Sequence, residues 1–417
     1  MFAGTIEDRC EAPFLGDLLF SNRHLLFLLL FRISRSIAAG MITLAFPYLV
    51  LNKYHYDSLT LGLLYTAAAV ATALAGLLVG FLADLWGRKR SLWLIGAMLP
   101  VSSAIVMDTH QLGWLFVAAV LGGYSATGSL IGGGVGGAAQ PVQTAIIASL
   151  AESKERTSYF SVFSFLGGLF AAGGSLAARL FTTRDVFAAA TVVAGAGLVF
   201  LIPLRLPEPT GQLRRMKSAR VIGQFSITGV LNGFSQGLIM PFLIPFFVLV
   251  YHLPKDRMAV YSFASGVVGA LALLTAPKLD QWLGFVRAIA WTRGTGAVMI
   301  ALLPLWHNLP LALGIYLLIP ALRIAALPTQ QRALTDMVQA DETGRALGFN
   351  QVMRLGASSG AVALTGYLFE ETDFAMPFEL YSAIMMANIF LYFRFFGHYG
   401  QRPVETSVEL GQESGGK

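Results

Sequence analysis

Four arginines stand inside stretches that are otherwise apolar: Arg32 and Arg35 near the beginning of the chain, Arg323 and Arg354 in its last quarter. A guanidinium keeps its charge, so out of water it must meet an anion, a carbonyl or another acceptor, or reach back to a wet surface. Arg32 and Arg35 are three residues apart and share a helix face. With a helix starting near His24, they sit about 12 and 17 Å into it. Arg32 is within reach of headgroups, and Arg35 has the better claim to an interior cavity. Asn232, Gln236, Gln330 and Asn350 supply uncharged polar groups, while Tyr124, with Tyr48, Tyr65 and Trp291, supplies aromatic surface. No mid-helix Asp or Glu stands out to balance the cations. Such a set can hold an anionic or strongly hydrogen-bonding solute; equally, backbone carbonyls and helix C-termini can satisfy the same arginines in a structural role.

Bond-making chemistry finds no comparable set. The run Gly132-Gly133-Gly134 with Gly136 and Gly137 lacks the Lys-Ser or Lys-Thr of a phosphate loop, and it lies in an apolar segment where close helix packing is the simpler use of glycine. There is no paired carboxylate, nucleophile triad, HExxH or histidine cluster, and the single cysteine, Cys10, has no metal-ligand spacing. The expectation is a non-enzyme with no cofactor and no metal.

The elements that must position the arginines follow from composition. Of 417 residues, 55% are apolar and 12% charged, with 30 Phe and 44 Gly, and the mean hydropathy is +0.65. These values indicate an all-α polytopic membrane protein. The net charge of +6 is spread between apolar runs, so it reports topology and nucleic acid is not an expected partner. Residues 1 to 22 lack the pattern of a secretory signal. With about 20 residues per crossing, spans are expected at 24–50, 59–83, 91–107, 112–147, 157–180, 186–204, 221–250, 258–278, 287–306, 309–335, 345–368 and 377–397. The fourth and tenth end in semi-polar continuations. The division is thus an N-terminal segment 1–23, six helices in 24–204, a linker 205–220 with Pro207, Pro209 and four following cations, six more in 221–397, and a polar tail 398–417. Arg88 to Arg90, Lys154, Arg156, Arg214 to Arg220, Lys278, Arg287 and Arg345 fall on one side. That bias puts both termini in the cytoplasm of a plasma or inner membrane.

The halves echo one another. Pro141-Val142-Gln143 and Pro328-Thr329-Gln330 lie 187 residues apart, as do Glu155 and Glu342. This predicts two pseudo-symmetric six-helix bundles. At the second inter-span loop, Gly80, Asp84, Gly87, Arg88 and Lys89 match G-x-x-x-D-x-x-G-R-K, with a looser counterpart in Asp280, Gly284 and Arg287.

On this loop motif, the twelve spans and the basic linker, residues 24 to 397 resemble the major facilitator superfamily. The resemblance implies two bundles around a central path, a mid-membrane site and alternating access by rocking. It also implies gating roles for Gly80, Asp84, Gly87, Arg88, Asp280 and Arg287. Proton-coupled drug exporters of that family carry an Arg before Gln-Gly in the fourth span and Gly-Pro-x-x-Gly-Gly in the fifth; here stand Gly123-Tyr124-Ser125-Ala126-Thr127-Gly128 and Leu169-Phe170-Ala171-Ala172-Gly173-Gly174. The expectation is secondary transport of a small organic solute, anionic or amphipathic, by a monomer among membrane lipids, with a proton as the first choice of coupling ion. Substrate-binding candidates are Arg32, Arg35, Tyr124, Asn232, Gln236, Arg323 and Arg354. Multidrug efflux and a non-transporting receptor or assembly protein are the alternatives.

Overall fold

The computed structural model describes residues 23–124, 143, 146–147, 150, 156–206, 218–273, 276–305, 308–325, 330, 333–334, 337–338 and 343–397. Among them every regular element is helical. In chain order these are α1 (Arg23–Pro47, continued by a π-turn Tyr48–Lys53), α2 (Ser58–Trp86), α3 (Arg88–Asp108), α4 (Leu112–Gly122), α5 (Arg156–Ala177) and α6 (Asp185–Gly197). The second half holds α7 (Ala219–Ile239), α8 (Leu243–Tyr251), α9 (Lys255–Ala272), α10 (Ala276–Leu302), α11 (Leu309–Ala325), α12 (Thr343–Glu370) and α13 (Met376–Phe396). Six helical stretches among the described residues are long and apolar enough to cross a membrane, α1 with its π-turn and α7 with α8 counted as single stretches. Large apolar side chains on their outer faces, such as Leu78, Val192 and Phe390, are exposed, as lipid contact requires.

Polar residues set the helix ends. Asp57 Oδ1 accepts from the Thr60 amide at 2.7 Å to start α2, and Asp373 Oδ1 accepts from the Met376 amide at 3.0 Å to start α13. Gly87, at φ +91°, breaks α2 from α3, and Gly284, at φ +70°, kinks α10; a Cβ is disfavoured at both. The expected loop between the eighth and ninth spans is therefore reduced to a single-residue break within one helical run, because Gly284 alone turns the chain. Within the expected fourth span, Gly123 adopts a left-handed conformation that caps α4, and the Tyr124 amide donates back to Ala119 O at 3.2 Å; positions 125–142 of that span lie outside the described residues. The seventh is interrupted by a 3-10 turn at Met240–Phe242 holding Pro241.

Helix neighbours in the first half recur in the second. α1 packs on α5 and α6, α2 on α4, and α3 on α4 and α6; likewise α7 packs on α12 and α13, α9 on α11, and α10 on α11 and α13. Small residues permit the closest of these contacts. A methyl group at Gly40 would lie 1.8 Å from the Ala171 carbonyl oxygen, and one at Gly233 would lie 2.0 Å from that of Arg354. The halves meet where α2 crosses α12 and α5 crosses α9. Gly62 and Gly366 touch at the first crossing, where either Cβ would come within 2.7 Å of the other backbone. Three hydrogen bonds join the halves near these crossings: Ser58 amide to Glu370 Oε2 at 2.9 Å, Tyr48 hydroxyl to Leu253 O at 2.6 Å, and Lys255 Nζ to Phe181 O. All three lie on the face opposite the start of α1 and the end of α13.

Candidate functional site

A cavity opens between the halves. α1, α2 and α5 line it from one side, and α9, α11 and the broken α7–α8 segment line it from the other. Pro241 sits in the 3-10 turn that interrupts regular helix on its wall, Pro320 lies within α11, and Ala171 and Ala172 leave room where larger residues would fill it. Arg323 is the charged residue among its described lining. The guanidinium Nε and Nη1 atoms of Arg323 are buried without a hydrogen-bond partner among the described residues. Around it, Ser262 Oγ and the Tyr316 hydroxyl are 3.0 Å apart, and the Ser265 hydroxyl donates to Tyr316 O at 3.0 Å. The Ser175 hydroxyl donates to Gly40 O at 3.0 Å, whereas the Thr43 hydroxyl is buried and unpartnered.

Behind Arg323 the second half holds two more deep guanidinium groups. Arg293, on α10, bonds Gln330 Oε1 through Nη2 and lies 5.1 Å over the Tyr392 ring. Arg354, on α12, donates from Nη2 to Gln351 Oε1 at 3.0 Å. Arg354 interacts electrostatically with both Arg293 and Arg323, and Tyr381 with Arg293 and Arg323. Sequence reasoning missed Arg293, although it lies inside the expected ninth span and the depth argument that singled out Arg35 applies to it equally. The hydroxyls on the cavity carried no such signal, since Ser and Thr are ordinary residues in apolar helices.

The first-half candidates are arranged differently. Arg32 donates from Nη1 to Gln143 Oε1 at 2.9 Å and packs against Gly167 of α5. Arg35 Nη1 lies 3.1 Å from Ile95 O and 3.3 Å from Gly96 O on α3, and its guanidinium is 5.4 Å from the centre of the Phe31 ring. It lines a second recess among α2, α3 and α4, walled by Leu74, Leu78, Met98 and Val120. Tyr124 is buried with its hydroxyl 2.5 Å from Ser102 Oγ and its ring edge-on to Phe46 at 5.0 Å. Gln236 donates to Asn232 Oδ1 at 3.1 Å, so these two candidates pair with each other on α7. The structure thus brings Arg323 and Arg354 together, and Asn232 and Gln236 together, and leaves Arg32, Arg35 and Tyr124 within the first half.

Of the gating residues, Gly87 holds the break between α2 and α3, Arg88 opens α3, and Arg287 is exposed on α10, three residues after the kink at Gly284. The side chains of Gly80, Asp84 and Asp280 lie outside the described residues, as do Pro141, Pro328, Glu155, Glu342, the 132–137 glycine run and most of the 205–220 linker. Every described carboxylate is exposed and sits at a helix end on the face opposite the start of α1; the ion pair among described residues, Arg184 with Asp108 at 3.8 Å, is there too. On that same face the Tyr54 hydroxyl donates to Thr109 O at 2.7 Å, and partial burial raises its pKa above the usual phenol value. No group of three or more His, Cys, Asp or Glu residues among the described residues could hold a metal.

No curated protein matches the chain. Solved structures do, at low identity. The nucleoside transporter NupG superposes with a TM-score of 0.68 at 12% identity, covering 89% of this chain and 98% of its own. The human organic anion transporter MFSD10 gives 0.67 at 14%, covering 89% and 99%. A D-xylose-proton symporter gives 0.68 at 16%, covering 88% and 95%. The family model of the Major Facilitator Superfamily matches residues 28–362. With its helices packed in the arrangement of those carriers and matched by the family model over most of its length, the chain belongs to the major facilitator superfamily and is an integral membrane carrier, working by alternating access and not an enzyme.

Proposed function

We propose that the protein transports a small organic anion, held from the second half by Arg323 with Arg354 and Arg293 behind it. The observation that carries this reading is Arg323: it lines the cavity between the halves, two of its nitrogens are buried without a partner among the described residues, and no described carboxylate stands nearby to neutralise it. A guanidinium in that position is costly unless an anion compensates it for part of the cycle. The chain crosses the membrane twelve times, as two six-helix bundles over 24–204 and 221–397 joined by 205–220. Segments 1–23 and 398–417 lie in the cytoplasm; the repeated helix neighbours and the loop cations support this. Gly80, Asp84, Gly87, Arg88, Asp280 and Arg287 act at the cytoplasmic gate, and a proton drives the cycle. One similar structure is named an organic anion transporter and another a proton symporter, which agrees with both parts.

The experiment is a flux screen in proteoliposomes with the pH gradient and membrane potential varied independently. Accumulation of an anion, lost in R323A, supports the proposal; flux confined to neutral or cationic solutes contradicts it. Proton-coupled multidrug efflux is the second reading, favoured by the apolar wall of Met240, Leu243 and Ile244, and the same screen separates the two. A receptor or assembly role predicts no flux at all.

A further inference from the structure

The three second-half arginines do not stand equally toward the cavity, and that inequality bears on the charge of the cargo. Arg293 is committed to Gln330 and the Tyr392 ring, and Arg354 to Gln351. Arg293 Nη1, like Nε and Nη1 of Arg323, has no partner among the described residues, but of the three arginines Arg323 alone is among the described residues that line the cavity. Away from Arg323 the cavity offers little to a second charged or heavily hydroxylated end. Ser175, Ser262 and Ser265 already bond within the protein, and Asn232 and Gln236, joined by one hydrogen bond, lie outside the lining. The unpartnered Thr43 hydroxyl is the polar exception. The remaining wall is apolar: Tyr65, Met240, Leu243, Ile244 and Ala172.

We infer that the cargo is an amphipathic monoanion: one carboxylate or comparable head on Arg323, and an apolar body lying along Tyr65, Met240 and Ile244 toward the first half. This rests on the anion reading above and narrows it. A single guanidinium matches a single anionic head in charge, through charge-assisted N–H donors. Each methylene buried along the wall strengthens binding by about fourfold at most. A second carboxylate at the far end meets apolar wall and loses its hydration without compensation.

The test is equilibrium binding to the purified full-length protein by calorimetry, with octanoate, acetate, octanedioate and octyltrimethylammonium as probes. Octanoate is expected to bind at least about tenfold more tightly than acetate or octanedioate, a margin of three buried methylenes or fewer. R323K is expected to weaken octanoate by about tenfold while keeping the length preference, because lysine retains charge without the fork. The wild-type series needs no variant, so a folding defect in R323K leaves the comparison of chain length and charge intact. Octanedioate or acetate binding as well as octanoate overturns the monoanion inference and leaves the anion reading standing. Binding of octyltrimethylammonium with none of the anions overturns both.

Discussion

Both halves of the molecule bury arginines, and Arg323 in the second half is held unlike the pair in the first. In the first half, Arg35 reaches α3 carbonyls at 3.1 and 3.3 Å and Arg32 reaches Gln143 at 2.9 Å, so each guanidinium ties α1 to another helical segment. In the second half, Arg323 lines a cavity that both halves share, and its buried Nε and Nη1 have no partner among the described residues. The difference teaches that depth in a membrane helix does not by itself assign a role. A buried cation whose acceptors are built into the protein is a fastener, and one whose acceptors are not built in is a receptor for something that comes and goes.

Breaking the comparison begins with Arg323. R323A should cost about 2–5 kcal/mol of anion binding, the range for truncating one member of a buried, hydrogen-bonded charge pair. Anion flux should fall to background while the amount of folded protein recovered is maintained; undiminished flux would remove Arg323 from the site. The counterpart is R35A, which withdraws the donor from Ile95 O and Gly96 O and the packing on Phe31. It should lower stability by about 1–3 kcal/mol, read as a fall in thermal unfolding temperature, with affinity for the anion unchanged.

Two further variants sharpen the contrast between the site and the faces that gate it. D84N keeps size and removes charge in the last turn of α2, and should slow flux about tenfold, or about 1.4 kcal/mol, while binding survives, because a gate contact shifts conformational populations without touching cargo. A loss of binding at normal flux would place Asp84 in the site. E370A removes the acceptor of the Ser58 amide at the other face. Exposed as it is, this contact is worth about 1 kcal/mol or less, so labelling of a cysteine placed at Thr66 should rise no more than about fivefold. No change at all would show that Gly62 and Gly366 hold that crossing without it.

Much of the fold was legible because its signals are local. Apolar runs located the helices, and Gly87 and Gly284 announced their breaks through the residue type that a positive φ requires. The repeat at Gln143 and Gln330 picked out the two glutamines that partner Arg32 and Arg293, although spacing alone did not say whom they would bond. What stayed hidden depends on pairs brought together from distant segments. Nothing in the sequence near Arg35 reports the Ile95 and Gly96 carbonyls, some sixty residues away. Arg293 was equally deep and was passed over beside Trp291. Thr43, Ser262 and Tyr316 share the cavity although they come from three helices distant in sequence, a consequence visible only in three dimensions.

The most direct measurement is a pair of affinities for one transported anion, determined on purified, folded R35A and R323A beside wild type, with a neutral isostere as control. If the supply of built-in acceptors assigns the roles, R35A keeps wild-type affinity and charge preference, and R323A loses at least about 30-fold in affinity and all preference for the anion. Equal losses in both variants, or wild-type affinity in R323A, would contradict it.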